Sequence, residues 1–400
     1  MHILILTQYY APEIGAAQTR LRATATCLRD AGHEVTVLTA MPNHLLDEVL
    51  PAYRGQRFVQ EEIDGIRVLR TWVYAATGRS WKRLANYFSF VGSSALAAAK
   101  VPKVDMIFFE SPPLFLGLSA AFLARKNRAR LVMNVSDLWP DSVRAIAPDS
   151  AFSKGPLYQA AERLEAWLYR RCDVVTAVTE GIRDVLISDK GLDASKVAYL
   201  PNGIDPVLFE PRPAEQCQTS PRRFLIAGTL GYAQGLDAAV DAANHLRDRD
   251  DIEIHFLGGG PEKNRLKKRV HDEGLEQVVF RDPIPLSAMP EEYAKSTAAL
   301  ALLADDPFFD RARPARSFPP LACGRPLIFA GRGDIASMLR DQECGTAVEP
   351  GDGKALAQAI ARYADQPDLA QAHGEKAATF AHAEITWPVL VQRWLEEVQS

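Results

Sequence analysis

Four hundred residues, 47% apolar, 24% charged and 8% aromatic, exceed one ordinary core and exclude a disordered chain. Five widely spaced cysteines (Cys27, Cys172, Cys217, Cys323, Cys344), with no CxxC pair, argue against a disulfide framework or zinc site and for a reducing compartment. A net charge of −4 at pH 7 and the lack of a nucleic-acid-binding motif disfavour a nucleic-acid partner.

In chain order, MHILILTQYY reads as a first strand rather than a signal peptide, since it has no basic start and no cleavage site. Strands are predicted at HILILT, EVTVLTA, IRVLRTW, MIFFES, LVMNVS and VVTAVT. Helices are predicted between them over Thr19–Ala31, Lys82–Lys100, Leu114–Lys126 and Gly155–Arg171. AYLPNGIDPVLFEPRPAEQCQTSP follows, with five prolines in 24 residues, and reads as an interdomain linker. The alternation then restarts with strands RFLIAGT, IEIHFLG, QVVFRD, ALALLA and PLIFAG. The helices here are Ala233–Arg247, Pro261–Glu273, Met289–Ser296 and a short one around Pro320–Cys323. Two α/β domains with parallel sheets are expected, with ligands outside the carboxyl ends of the strands.

Charge is unevenly spread. Residues 1–200 hold 24 Lys and Arg against 20 Asp and Glu; the remainder holds 22 against 30. Between Arg79 and Arg130 nine basic residues face only Asp105 and Glu110, and Trp81, Leu84, Tyr87, Phe88 and Val91 interleave at helical spacing. Such a segment suits an anionic membrane surface, although the pattern alone favours a core helix with a solvated edge. No apolar run reaches the ~18–20 residues of a membrane span, so a cytoplasmic protein, peripheral on the membrane face, is expected.

Three loops carry candidate chemistry. TQYYAPEIGAAQTR leaves the first strand and reaches Gly15 before a helix, where backbone N–H groups could meet a ligand; a plain strand-to-helix turn fits as well. AGTLGYAQGLD, with Gly228, Gly231 and Gly235, and FLGGGPEKNRL, with Gly258, Gly259 and Gly260, together suggest a phosphate-binding face. In RPARSFPPLACGRP the prolines stand where a helix starts, and Arg316 lies just upstream, so an anion there would meet a guanidinium and the helix dipole; a solvated basic loop is the alternative.

LTQYYAPEIGAAQTR, AGHEVTVLTAMPNH, SPPLFLGL, VSDLWPDS, YLPNGID, AGTLGYAQGLD, GGGPEKNRL and ACGRPLIFAG, in this order, resemble family-4 glycosyltransferases of the GT-B fold over nearly the whole length. The nearest likeness is the bacterial polysaccharide branch typified by WbuB, which includes N-acetyl-L-fucosamine transferases. The resemblance implies an acceptor-binding domain over 1–203, a nucleotide-sugar-binding domain over 204–380, and a helix over 381–400 returning to the first domain. It implies a retaining transferase using a nucleotide-sugar, usually UDP-linked, with no cofactor and no essential metal. The acceptor would be a saccharide or a polyprenyl-diphosphate-linked sugar at the inner membrane face.

By the same resemblance the donor would be held by Gly15, Gly228, Thr229, Gly231, Gln234, Gly258, Gly260, Ile284, Arg313, Arg316 and Phe318. Glu13, Asp137 and Arg316 would act in catalysis, with Ser136 and Asp141 on the acceptor side. Two departures stand out. The family's basic pair in the first glycine loop corresponds to Thr229 and Gln234, and both acids of its E-x7-E pattern are replaced, by Arg311 and Pro319. Ribose recognition must then weaken or move, with Asp306 or Asp310 as replacements. A non-catalytic nucleotide-sugar-binding scaffold or a hexosamine 2-epimerase of the same fold are the alternatives.

Overall fold

In the first part of the chain the apolar runs form eight strands: β1 (His2–Leu6), β2 (Glu34–Ala40), β3 (Phe58–Ile63), β4 (Ile66–Thr71), β5 (Met106–Ser111), β6 (Arg130–Val135), β7 (Val174–Ala177) and β8 (Val197–Tyr199). This computed structural model describes residues 1–13, 15–43, 46–76, 81–146, 155–212 and 220–399. The strands join in the order β3-β4-β2-β1-β5-β6-β7-β8. All pairs are parallel except β3 with β4, so this sheet is mixed and not wholly parallel as expected. The antiparallel edge comes from Asp64-Gly65, whose φ values of 52° and 69° make the tight left-handed turn that joins hairpin strands.

Six strands form a second, wholly parallel sheet: β9 (Arg222–Ala227), β10 (Ile252–Leu257), β11 (Val278–Arg281), β12 (Ala298–Leu302), β13 (Leu327–Ala330) and β14 (Gly345–Val348). Their order is β11-β10-β9-β12-β13-β14. The chain divides into two compact units, Met1–Asn202 with Leu390–Ser400, and Gly203–Val389.

Period-two alternation places opposite faces of each strand in separate cores. Leu4 and Leu6 join Leu38, Ile107, Phe109 and Leu131 on one face of the first sheet. Ile3 and Ile5 join Val37, Phe108 and Val132 on the other, where Leu390, Val391, Trp394, Leu395 and Val398 complete the layer. The second sheet repeats the scheme, with Phe224 and Ile226 on one face and Leu225 and Ala227 on the other. Both sheets are buried on both faces, as crossover helices require. In each, strand order reverses beside the first strand, between β1 and β5 and between β9 and β12. The crevice beyond the strand ends at such a reversal is where ligands bind in these folds.

Candidate active site

In the second unit the reversal point is occupied by the two glycine loops and the arginine stretch. The first loop leaves β9 at Gly228 (φ 111°) and runs against the second: Gly228 N–H donates to Leu257 O (2.9 Å) and Leu230 N–H to Gly259 O (2.8 Å). A Cβ at Gly258 would fall 1.9 Å from Gly228 O, and one at Gly260 2.2 Å from Leu230 O. These two glycines are therefore required by the backbone of the first loop passing over them. Gly231 N–H donates to Gln234 Oε1 (2.9 Å), so the Gln234 amide closes its own turn.

Residues 315–317 form a single 3-10 turn leading into a helix of five residues, Phe318–Ala322, with Pro319 and Pro320 in its first turn. The prolines begin the helix as expected. The helix is too short to develop the dipole invoked for anion binding, so positive charge here comes from side chains. Arg316 is half-buried. Its guanidinium lies against Gly228, where a Cβ would stand 3.4 Å from Cζ, and Nη2 donates to Thr229 O (3.0 Å). Nη1 is buried with no hydrogen-bond partner among the described residues, and neither has the Ser317 hydroxyl. Burial pulls the Arg316 guanidinium below the usual arginine range, a penalty that a bound anion would relieve. Arg313 lies over the buried Phe318 ring at 4.8 Å. Gly228 and Thr229 are exposed beside this group, and Ile284 packs at the edge of the neighbouring core.

Neither proposed replacement for the ribose carboxylate is idle. Asp306 Oδ1 accepts from Phe308 N–H (2.8 Å) and caps a 3-10 turn, and Asp310 faces Arg332 at 3.7 Å. Arg332 itself is shared with Asp305 and Glu349.

In the first unit Glu13 is tied into the scaffold: its carboxylate accepts from Tyr10 N–H (3.1 Å) and Asn43 N–H (2.6 Å), joining the loops after β1 and β2. Gly15 precedes the helix Ala16–Asp30 with φ 171°, extended backbone that any residue adopts, so glycine is not demanded there by conformation. Ser136 donates its hydroxyl to Ser111 O (3.0 Å). Asp141 accepts from Tyr158 (2.8 Å) and Lys190 (2.8 Å), and Lys190 also reaches the buried Glu165 (2.9 Å). Burial opposes ionisation of Asp141, yet the Lys190 and Tyr158 hydrogen bonds hold it below the usual carboxylate range. Asp141 therefore belongs to a structural ion network.

Asp137 differs. Half-buried after β6, it is pushed up from the usual carboxylate range by burial, opposed only in part by the Ser142 hydroxyl and the Leu138 N–H. A carboxyl that holds its proton more tightly than usual suits proton transfer. Among the described residues no group of three or more His, Cys, Asp and Glu is arranged to hold a metal.

The sequence reading placed Arg83 and Tyr87 in the basic segment but overlooked a polar cluster at the carboxyl ends of β1, β2 and β4. Gln8 Nε2 donates to Asn86 Oδ1 (2.6 Å), and Asn86 Nδ2 donates to Tyr74 O (2.7 Å) and Asn43 Oδ1 (3.3 Å). The Arg83 guanidinium lies 5.8 Å from the centre of the Tyr9 ring and 4.9 Å from that of Tyr87. The Arg83/Tyr87 spacing of four was the available signal.

Two α/β units, each with its strand order reversing beside its first strand, form the GT-B fold, and comparison with known proteins gives the class. Residues 15–203 match the glycosyl transferase 4-like domain and residues 210–380 the glycosyl transferases group 1 domain. The chain is a glycosyltransferase of this two-domain class. It is 28% identical over 302 residues to Escherichia coli K12 WcaI, named for colanic acid biosynthesis, covering 72% of this chain and 74% of that one. It is 22% identical to a Mycobacterium tuberculosis glycogen synthase, covering 97% and 92%. Among solved structures, Anabaena HepE in complex with UDP superposes over the full length of both chains (TM-score 0.73, 17% identity). WaaG, a glycosyltransferase involved in lipopolysaccharide biosynthesis, superposes over 97% and 98% (TM-score 0.64, 15% identity).

Proposed function

We propose that the protein transfers a sugar, with retention, from a UDP-linked donor to a lipid-linked or saccharide acceptor in cell-surface polysaccharide synthesis. The donor sugar would be a deoxy-amino sugar such as N-acetylfucosamine, as in the WbuB-like branch. The observation that carries the reading is Arg316, a half-buried cation beside the exposed Gly228-Thr229 backbone whose buried Nη1 has no hydrogen-bond partner among the described residues. A nucleoside diphosphate satisfies that donor and stabilises the guanidinium. As the sugar–phosphate bond breaks, the same cation would stabilise the departing charge. Asp137 is the proposed acid or base on the acceptor side. The WcaI likeness and the UDP-bound fold neighbour support polysaccharide synthesis and UDP.

Association with the inner membrane face forms part of the proposal. It is supported by exposed Trp81 (67%) and Phe88 (48%), with exposed Lys82, Arg125 and Lys126, in the basic segment. Arg79 lies outside the described residues. Among the described residues no helix is long and apolar enough to cross a membrane.

The test is titration calorimetry with UDP and GDP, without metal, on the native chain and Arg316→Ala. UDP is expected to bind, and the variant to lose ten- to a hundredfold affinity, the equivalent of about 1.5–3 kcal/mol for a charged hydrogen bond. Equal binding by both proteins would remove Arg316 from the site. Binding of neither nucleotide would favour the second reading, a non-catalytic scaffold, which the loss of carboxylates at Arg311 and Pro319 motivates.

A further inference from the structure

At the end of the second sheet remote from Arg316 lies a cavity of about 600 Å³, within the roughly 300–1,000 Å³ of small-molecule sites. Of its lining, Arg222 opens β9, and Thr297 and Pro326 immediately precede β12 and β13. The cavity therefore sits at the amino ends of three adjacent strands, whereas the glycine loops leave the carboxyl ends of β9 and β10. The helix Pro367–Glu384 forms the facing wall. It lies close on the turn that carries Arg325, since a Cβ at Gly374 would fall 2.3 Å from Gly324 O.

The lining holds its positive charge inside and its negative charge outside. Arg325 is 3% exposed, and its guanidinium donates to the carbonyls of Tyr293 (3.2 Å), Gly324 (3.0 Å) and Ala294 (3.1 Å), which fix its plane. Arg222 is half-buried, and Arg212 is exposed. Arg325 and Arg212 both act on the buried Cys323 thiol, so their charges share one region. The two acids of the lining, Asp368 and Glu375, are exposed on the helix, and Glu375 accepts from the Gln371 amide (3.0 Å). Thr297 lines the same cavity at 4% exposure, and its hydroxyl has no hydrogen-bond partner among the described residues. A hydroxyl buried in that way costs stability, which an acceptor oxygen in the cavity would restore.

We propose that this cavity is a second anion site that binds a small phosphate monoester, of the sugar-phosphate class, apart from the nucleotide site. Guanidiniums offer phosphate paired N–H donors, and a phosphate oxygen supplies the acceptor that Thr297 lacks. Pro211, Pro326 and Pro367 add apolar wall for the carbons of a sugar ring. Bilayer phosphates share the anion chemistry, but a concave site with its deepest cation 3% exposed fits a small molecule. The occupant would link Arg212 to the helix Pro367–Glu384. The segments flanking these already pair: Ile204 N–H donates to Ile385 O (3.0 Å) and Trp387 N–H to Ile204 O (3.0 Å). Both lead to the points where the chain passes between the two units, after Asn202 and after Val389. The ligand is thus placed to brace those connections as an effector, and the inference stands independently of the glycosyl-transfer reading.

The experiment is calorimetric titration of the full chain with glucose 6-phosphate, glucose, inorganic phosphate, UDP and phosphatidylglycerol vesicles. The native protein is compared with Arg212→Gln/Arg222→Gln, Thr297→Val and Arg316→Ala. Glucose 6-phosphate is expected to bind, inorganic phosphate to displace it, and glucose to bind at least tenfold more weakly. The double variant should weaken glucose 6-phosphate at least tenfold and Thr297→Val severalfold, with UDP and vesicle affinities unchanged. Thr297→Val should also raise the Tm of the ligand-free protein, a gain that a hydroxyl satisfied within the fold would not give. Arg316→Ala should leave glucose 6-phosphate binding intact. If the double variant does not fold, judged by circular dichroism, Arg212→Gln alone and Thr297→Val decide, each weakening glucose 6-phosphate severalfold. No binding by the native protein, or undiminished binding by the folded cavity variants, overturns the proposal. Loss in Arg316→Ala alone would place the phosphate in the nucleotide site, and loss of vesicle binding in the cavity variants would assign the arginines to bilayer headgroups; either overturns it as well. UDP binding is read separately, so failure of the nucleotide site leaves this result distinct.

Discussion

Among single residues Asp137 offers the sharpest test, because its two proposed properties pull in opposite directions. Its folded-state carboxyl is raised by burial, so the native state holds its proton to higher pH than the unfolded chain does. Stability then falls as pH rises from the unfolded carboxylate range, near 4, through the raised folded value. Below that range both states are protonated and the penalty vanishes. Asp137→Asn keeps an acceptor for the Ser142 hydroxyl and the Leu138 N–H while removing the charge. It is expected to raise Tm by roughly 1–3 °C at pH 7–8, with the gain disappearing below about pH 4. If the carboxyl moves a proton, kcat should fall at least a hundredfold in the same variant. Stabilised but inactive protein marks a functional acid; unchanged kcat would reduce Asp137 to a strained turn residue. Asp141 makes the contrast: Lys190 and Tyr158 hold it ionised, so Asp141→Asn is expected to lower Tm at neutral pH, and this loss to fade as the solution is acidified toward the carboxylate range.

At the scale of elements, the legible parts were those whose hydrophobic pattern decides the structure. EVTVLTA and MIFFES are strands over the residues predicted, because short buried runs rich in β-branched or aromatic residues between turns allow few alternatives. The edges were not legible. β3, with Gln60 and Glu62 exposed, and β14, only partly buried, lack the continuous apolar run that marked the others. The Asp64-Gly65 turn was the one local cue to the hairpin. The glycine loops were found, but their physical cause was hidden. Gly258 yields to the Gly228 carbonyl, a contact between residues thirty apart that no spacing rule contains. It follows that Gly258→Ala must displace the first loop, and with it the Gly228 surface against which Arg316 lies. We expect about 1–3 kcal/mol of destabilisation in denaturant, together with weaker UDP binding. Gly259→Ala, whose Cβ would meet only the Pro283 ring at 3.3 Å, should change both far less.

For the whole molecule, the division into two units makes stability separable from nucleotide binding. Leu390–Ser400 belongs to the first unit although it lies at the far end of the chain. Its anchor is Trp394, fully buried, edge-on to Phe108 at 5.1 Å and donating Nε1–H to Thr176 Oγ1 (2.9 Å). The resemblance implied a terminal helix returning to the first domain; which side chain anchors Leu390–Ser400 was not legible, since Trp387 and Trp394 are equally apolar in sequence. Trp394→Ala opens a cavity and strands a hydroxyl, at a cost of about 3–5 kcal/mol. Ligand stabilisation acts only on the unit that binds. In calorimetric unfolding the variant should therefore show an early transition, insensitive to UDP, followed by one that UDP still raises. Trp394→Phe keeps the ring contact and should recover most of the early transition. One transition in the variant that moves as a whole with UDP would mean that the two units unfold together and that the terminal segment stabilises both.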